Sequence, residues 1–409
     1  MKTGEPGKAR TGSIFGFNRN VFLLGIASFL TDVSSEMMFT IMPLFLTNVL
    51  GASTSVVGLV TGVGESTATL LRLTSGWLSD RVGSRKWLTT LGYSLSTVAK
   101  PFLLIAGAWG HVLAVRFADR AGKGIRSAPR DAMIADSVAD HERGRNFGLH
   151  RAMDTMGAVV GLTGAAAIVF LFQRGGIDLS RETFQKLVLV GIVPAVLAVL
   201  VLIFLVKDVA RRKQARQAGQ AQAAAKAPVS FDRRFKIFLA IVLLFTLGNS
   251  SEAFLILRAQ DLGSPLLSIF LMLALFNVVY SLMSVPAGVL SDKIGRRGII
   301  VIGWAIFAAT YLGFALATTQ WQVWALFLFY GAYFGISEGV SRALVADFAH
   351  VERRGAAYGL YHAAVGITVL PASVIAGFLW QVVSPAAVFY YGAALAAAAA
   401  IAFVVLLRK

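Results

Sequence analysis

Residues 32–46 read DVSSEMMFTIMPLFL, and GNSSEAFLILRAQD at 248–261 repeats their opening about half a chain later. Each stretch sets a serine pair and a glutamate, Ser34-Ser35-Glu36 and Ser250-Ser251-Glu252, inside an apolar run. Two further echoes follow in the same order. GWLSDRVGSRK (76–86) is answered by GVLSDKIGRRG (288–298), and AMIADSVADHERGRNFGLHRA (132–152) by ALVADFAHVERRGAAYGLYHA (343–363). Three correspondences in register, in so apolar a chain, mean duplicated halves made of membrane helices.

Composition agrees. The 409 residues are 56% hydrophobic and 14% charged, with a mean hydropathy of +0.70. A soluble chain carries about 25% charged residues, so the solvent implied here is the bilayer. Cysteine is absent, which excludes disulfides, thiolate metal sites and thiol catalysis. The net charge of +17 could suit nucleic acid, but the placement of the charge excludes that partner. Lys and Arg gather at Lys2, Lys8, Arg10 and Arg19, and in 81–86, 143–145, 207–236, 293–297, 353–354 and 408–409. The segments 51–54, 107–111, 259–265, 318–322 and 381–387 hold none. Arg174 and Arg181, in the loop 173–186, are the exception. The alternation follows the positive-inside rule, which places both termini in the cytoplasm and the chain in a cytoplasmic (inner) membrane. The first apolar run is long and continues into a span, so no cleaved signal is expected.

A span needs about 20 apolar residues. Twelve fit, near 21–49, 55–79, 87–107, 112–136, 147–172, 187–206, 236–258, 265–290, 299–317, 322–347, 356–380 and 388–407. The expected architecture is an all-α membrane protein of two pseudo-symmetric six-helix bundles, 1–206 and 236–409. A basic, Ala/Gln-rich linker, 207–235, joins them. Related bundles of this kind rock against each other around a central site. A P-loop and a nucleophile elbow are both missing, and no loop is long enough for a soluble catalytic domain, which argues against an enzyme.

Between spans two and three stands Gly76-x-x-x-Asp80-Arg81-x-Gly83-x-Arg85-Lys86, copied as Gly288-x-x-x-Asp292-Lys293-x-Gly295-Arg296-Arg297. This pair resembles the best-known motif of the major facilitator superfamily, and with twelve spans the resemblance covers essentially the whole chain. It implies that Asp80, Arg81 and Asp292 latch one end of the molecule. Arg116-Phe117 resembles the start of the family's fourth-span motif, but Asp119 and Arg120 stand where Gln and Gly are usual. The fifth span offers Gly157-Ala158-x-x-Gly161-x-x-Gly164, with Ala158 in place of the proline of the family's antiporter motif.

Charges inside spans say more about function. An ionisable group at the bilayer centre costs ~2.5–3.5 kcal/mol on insertion scales, so it needs a partner or an aqueous cavity. Asp32 and Glu36 lie one helical turn apart on one face. Glu252 repeats the second acid, and these three are expected to carry protons. Burial favours the protonated carboxyl and a nearby cation the ionised one, so a substrate can tip the balance. Lys123, Arg126 and Arg130 share a face of span four by their spacing. With Glu65, Arg258, Glu338 and Arg342 they are expected to meet substrate, together with Phe39, Asn249, Asn277 and Tyr280 as lining groups. The resemblance points the same way, since spans one, four, seven and ten line the family's cavity. Asp131, Arg151 and Asp154 are expected at a gate, with Arg151 paired to Asp131 or Asp154. Met38-Phe39-x-x-Met42 resembles an element of copper-importing facilitators, and thioethers suit Cu(I), but the companion HxxxM element is missing.

The reading is therefore a proton-coupled secondary transporter of a small organic molecule, anionic or amphipathic, working by alternating access as a monomer without cofactors. Export is slightly favoured. The alternative is uptake of an anionic metabolite or a metal complex, copper included.

Overall fold

The computed structural model describes residues 13–82, 84–139, 142–173, 176–208, 232–348 and 354–407. A two-residue hairpin, Ser13–Ile14 with Phe17–Asn18, leads into twelve spans. The first half contains Arg19–Val49, Thr54–Val82, Arg85–Ala99 (continued by a tighter turn, Lys100–Ile105), Trp109–Ser137, Arg143–Gln173 and Arg181–Leu205. The second contains Arg233–Asp261, Leu266–Ile294, Arg296–Leu316, Gln320–Phe348, Arg354–Val382 and Pro385–Leu406. Every expected span is helical. Nine of them, among the described residues, are long and apolar enough to cross a membrane on those grounds alone. Spans three, four and ten fall outside that set; the regular helix of span three has 15 residues, and span four is rich in charged residues.

The halves repeat each other's packing. Span one lies against five and six, two against four, and three against four. Span seven likewise lies against eleven and twelve, eight against ten, and nine against ten. Across the halves, span two meets eleven and span five meets eight. Phe102, Ile105, Phe170, Phe172, Leu189, Phe204, Phe378 and Ile401 are exposed. An apolar belt of that extent fits lipid rather than water.

Both described chain ends lie at one face. Asn20 bonds the backbone of Lys207, Asn18 bonds the Ser137 carbonyl, and Arg297 donates to the Leu407 carbonyl. At this termini face the first copy of the loop motif acts as a clasp. Arg85 bonds Asp136 and the Ala132 carbonyl near the end of span four, while Lys86 donates to the Ile203 carbonyl at the end of span six. Cations are favoured at helix C-termini. The side chains of Asp80 and Asp292 lie outside the described residues, as does most of the expected linker, and Arg81 is exposed.

Most of the described cross-half hydrogen bonds sit at or toward the opposite, far face. Ser55 bonds Gln381 at 2.7 Å and Ser66 the Gly366 carbonyl at 2.7 Å. Gln260 bonds the Ile177 carbonyl at 3.0 Å, and the Leu266 amide bonds the Gly176 carbonyl. The far end of the interface is shut.

Two spans are interrupted. Span one lapses at Thr40–Ile41, before Pro43, which has no amide to donate. Span seven, expected to be continuous over 236–258, is instead two helices, Arg233–Gly248 and Glu252–Asp261. Ser251 caps the second through the Ala253 amide. The twin sequence in span one stays helical. Gly248-Asn249, residues that end helices, stand where span one has Asp32-Val33. The second segment of span seven packs on the Met42–Leu44 turn of span one, so the two interruptions meet.

Span five approaches span one closely at two glycines. A Cβ at Gly161 would lie 2.6 Å from the Val33 carbonyl oxygen, and one at Gly157 would lie 2.5 Å from that of Phe29. Gly164 faces open space. Gly161→Ala should therefore lower stability by about 1–3 kcal/mol through overpacking, and Gly164→Ala should change it little. Thermal unfolding of the two variants in detergent checks this.

Candidate functional site: a charged cavity between the halves

Where the interruptions meet, a cavity of about 390 Å³ opens, within the roughly 300–1,000 Å³ of small-molecule sites. Span one contributes Asp32, Ser35, Glu36, Phe39, Thr40, Met42 and Pro43; span two Val60, Thr61 and Glu65; span four Arg116, Asp119, Arg120, Lys123 and Arg126. From the second half come Asn249 to Ala253 and Ile256, then Tyr330, Phe334 and Val369. The walls differ in kind. The first half supplies all four cations and four of the five carboxylates; the second supplies Glu252, hydroxyls, an amide and aromatic rings.

The charges are arranged in layers. Glu65 Oε1 receives Arg116 Nη2 at 3.3 Å and Arg120 Nη2 at 3.2 Å. Asp119 lies 3.9 Å from Arg120, and Arg116 sits over Phe39, 4.9 Å from the ring centroid. Glu36 accepts from Thr40 at 2.5 Å, across the interruption of span one. Among the charged groups acting on Asp32 are Asp154, Lys123, Arg126 and Glu36. Glu252 occupies the first turn of its helix, where the peptide dipoles favour a carboxylate.

Of the residues expected from sequence, Asp32, Glu36, Glu252, Phe39, Glu65, Lys123, Arg126 and Asn249 line this one cavity. Arg126 stands at its edge, 4.2 Å from the Tyr93 ring centroid and bonded to Ser96 at 3.0 Å. Four other residues expected at the site are not among those lining this cavity. Arg130 turns away from the cavity to Asp131 and Ser28, at 3.0 and 3.1 Å, because span one presents a hydroxyl one turn before Asp32. Arg258 clamps the Phe314 and Ala317 carbonyls at the end of span nine and pairs with Asp261. Asn277 bonds its own helix at Leu273. Tyr280 accepts a hydrogen bond from Arg151 across the halves. The expected partners of Arg151 are engaged elsewhere, Asp131 with Arg130 and Asp154 with His150 at 3.5 Å. The side chains of Glu338 and Arg342 lie outside the described residues. Met38 and Met42 do not converge: Met42 lines the cavity, whereas Met38 is buried in the core.

Sequence reading missed the groups behind the Ser-Ser-Glu twins. Lys100 of span three is fully buried and donates to Ser34 at 2.7 Å and Ser35 at 3.1 Å. In the second half Tyr311 of span nine, also fully buried, shares a hydrogen bond of 3.1 Å with Ser250. One half sets an ammonium against its serines and the other a phenol. A lone lysine inside an apolar span was the available signal. Arg116 and Arg120 were visible too, but the departure from the family motif at Asp119 and Arg120 hid their importance.

A twelve-span fold with a central polar cavity and an apolar belt defines a membrane transporter, not an enzyme. The family model "Major Facilitator Superfamily" matches residues 24–275 and 237–409. The chain belongs to the major facilitator superfamily. It is 36% identical over 386 residues to an uncharacterised MFS-type transporter of Methanocaldococcus jannaschii, covering 93% of this chain and 92% of that one. Its fold is similar to that of the nucleoside transporter NupG (TM-score 0.77, 14% identity, 95% of this chain and 99% of the other). A D-xylose–proton symporter is similar as well (TM-score 0.73, 18% identity, 94% and 96%). At these identities the likeness concerns the fold alone.

Lys100 and Tyr311 should respond differently to removal of their polar atoms. An ammonium buried against neutral hydroxyls carries a desolvation cost that its removal relieves, and the freed serines can turn to their own helix carbonyls. Lys100→Met should thus keep or raise the melting temperature, whereas Tyr311→Phe should cost about 1 kcal/mol. A fall of several degrees in Lys100→Met would make the ammonium a structural brace.

Proposed function

We propose that the chain is a proton-coupled secondary transporter of a small organic molecule, working by alternating access as a monomer in a cytoplasmic membrane. The observation that carries this reading is the gathering of Asp32, Glu36 and Glu252 in one cavity between the halves. Buried carboxylates facing cations are poor stabilisers but good proton carriers, since a change in either charge shifts the other. The basic termini face supports a cytoplasmic location for that side. A single chain supplies a complete cavity, which supports a monomer.

Alternating access needs one end to open as the other shuts. The hydrogen bonds at the far face, Ser55 to Gln381 and Gln260 to Ile177, are the contacts such a movement would break. Gly157 and Gly161 set span five directly against the segment of span one that bears Asp32 and Glu36. Protonation of either acid would therefore be felt where the helices slide.

Direction follows from the sign of the substrate's charge. A cationic or neutral amphipathic molecule would compete with protons for the carboxylates and leave by exchange. An anion would be drawn in with protons, because each improves the site for the other. The two arginines that share Glu65 favour the second case.

Proteoliposomes offered a mixed pool of metabolites test the coupling. The wild-type chain should concentrate at least one compound, detected by mass spectrometry, only when a pH gradient is imposed. Glu36→Gln should equilibrate that compound without concentrating it. Gradient-driven accumulation that survives in Glu36→Gln would remove Glu36 as a proton carrier.

A further inference from the structure

We propose that the transported molecule is an organic anion whose charged group displaces Glu65 from between Arg116 and Arg120, and that the freed Glu65 takes up the accompanying proton. The proposal rests on the proton-coupled reading above and assigns its substrate class and one of its proton sites.

The present pairing is incomplete in a directed way. A single oxygen of Glu65 serves both guanidinium groups, at 3.3 and 3.2 Å. Charge-assisted bonds of this type ordinarily run about 2.7–2.9 Å and are often forked. Arg116 Nη1 and Arg120 Nε are buried with no hydrogen-bond partner, a costly state for a charged donor. The Glu65 side chain is 42% exposed, against 9% for Arg116 and 14% for Arg120. The carboxylate is thus the loose, wet member of the cluster, and the guanidinium pair is the fixed one. A carboxylate, phosphate or sulfonate with free oxygens can meet donors that Glu65 leaves unmet.

The surroundings fit the rest of such a molecule. Phe39 lies beneath Arg116, and Tyr330 and Phe334 of span ten stand on the facing wall. A planar or apolar body would lie there. A neutral or cationic ligand would leave Arg116 Nη1 without an anionic acceptor.

Charge balance links the anion to the proton. With Glu65 ionised, its negative charge sits between the two arginines. When a substrate anion takes that place, Glu65 has lost Arg116 and Arg120 and faces the substrate's negative charge, with Lys123 and Arg72 as its remaining cationic neighbours. Uptake of a proton by Glu65 restores the cavity to its former net charge. Anion and proton then occupy the cavity together and cross together in the same direction.

Binding to the purified full-length chain tests this with three matched probes: 2-naphthoate, neutral 2-naphthamide and cationic 2-naphthylmethylammonium. Calorimetry in buffers of different ionisation heat should show that 2-naphthoate binds with uptake of about one proton, while the other two do not bind. Glu65→Gln removes the competing charge. It should bind 2-naphthoate about tenfold more tightly, with no proton uptake. Arg116→Lys and Arg120→Lys keep the charge but lose the fork, and should each weaken binding. Absence of 2-naphthoate binding, equal binding of the amide, or weaker binding in Glu65→Gln would overturn the proposal. Gradient-driven accumulation of a neutral or cationic metabolite in the proteoliposome screen would overturn the substrate class alone and leave proton coupling standing.

Discussion

The structure depends on one constraint: ionisable groups placed at the depth of the membrane must find partners or water. Each such group would cost several kcal/mol if left facing lipid. The chain meets the constraint by collecting them. Asp32, Glu36, Glu65, Arg116, Asp119, Arg120, Lys123, Arg126 and Glu252 share a single hollow, and the lipid-facing surfaces are left to Phe, Leu, Ile and Val. Helix interruptions at Thr40–Ile41 and Asn249–Ser251 belong to the same solution, since irregular backbone at membrane depth is tolerated where it lines a cavity.

The two halves solve the problem differently although they descend from one pattern. Ser34-Ser35-Glu36 remains in a continuous helix and is backed by the Lys100 ammonium; Ser250-Ser251-Glu252 begins a new helix and is backed by the Tyr311 phenol. The first half holds nearly all the cavity's charge. The second offers hydroxyls, an amide and rings. Such a division sets a strongly charged wall against one of mostly neutral polar and aromatic groups, across an interface closed at the far face by hydrogen bonds between spans two and eleven.

Much of this was legible in the sequence. Twelve spans followed from hydropathy and from the repeat, and the repeat located acids that line the cavity, because a charge at mid-span has few reasons to persist. Depth along a helix was readable; direction around it was less so. Arg130 shares its spacing with Lys123 and Arg126, yet Ser28 and Asp131 draw it aside. Arg258 sits less than two turns past Glu252, yet the end of span nine captures it. Lys100 went unnoticed because its partners are serines on another span, a relation that no spacing within one helix encodes. The break in span seven was present as Gly248-Asn249 before a serine cap and was overridden by the apolar run around it.

The central claim is that this hollow opens alternately to the two faces under the control of its carboxylates. A chain without cysteine allows spin labels at Ser55 and Gln381 on the far face and, in a second sample, at Leu73 and Leu360 nearer the termini face. Electron–electron distance distributions in nanodiscs, recorded at acid and alkaline pH, test it most directly. The account predicts reciprocal change, one pair lengthening as the other shortens, with the response lost when Asp32 and Glu36 are replaced by Asn and Gln. Distances that stay fixed in both pairs, or that lengthen together, would contradict it.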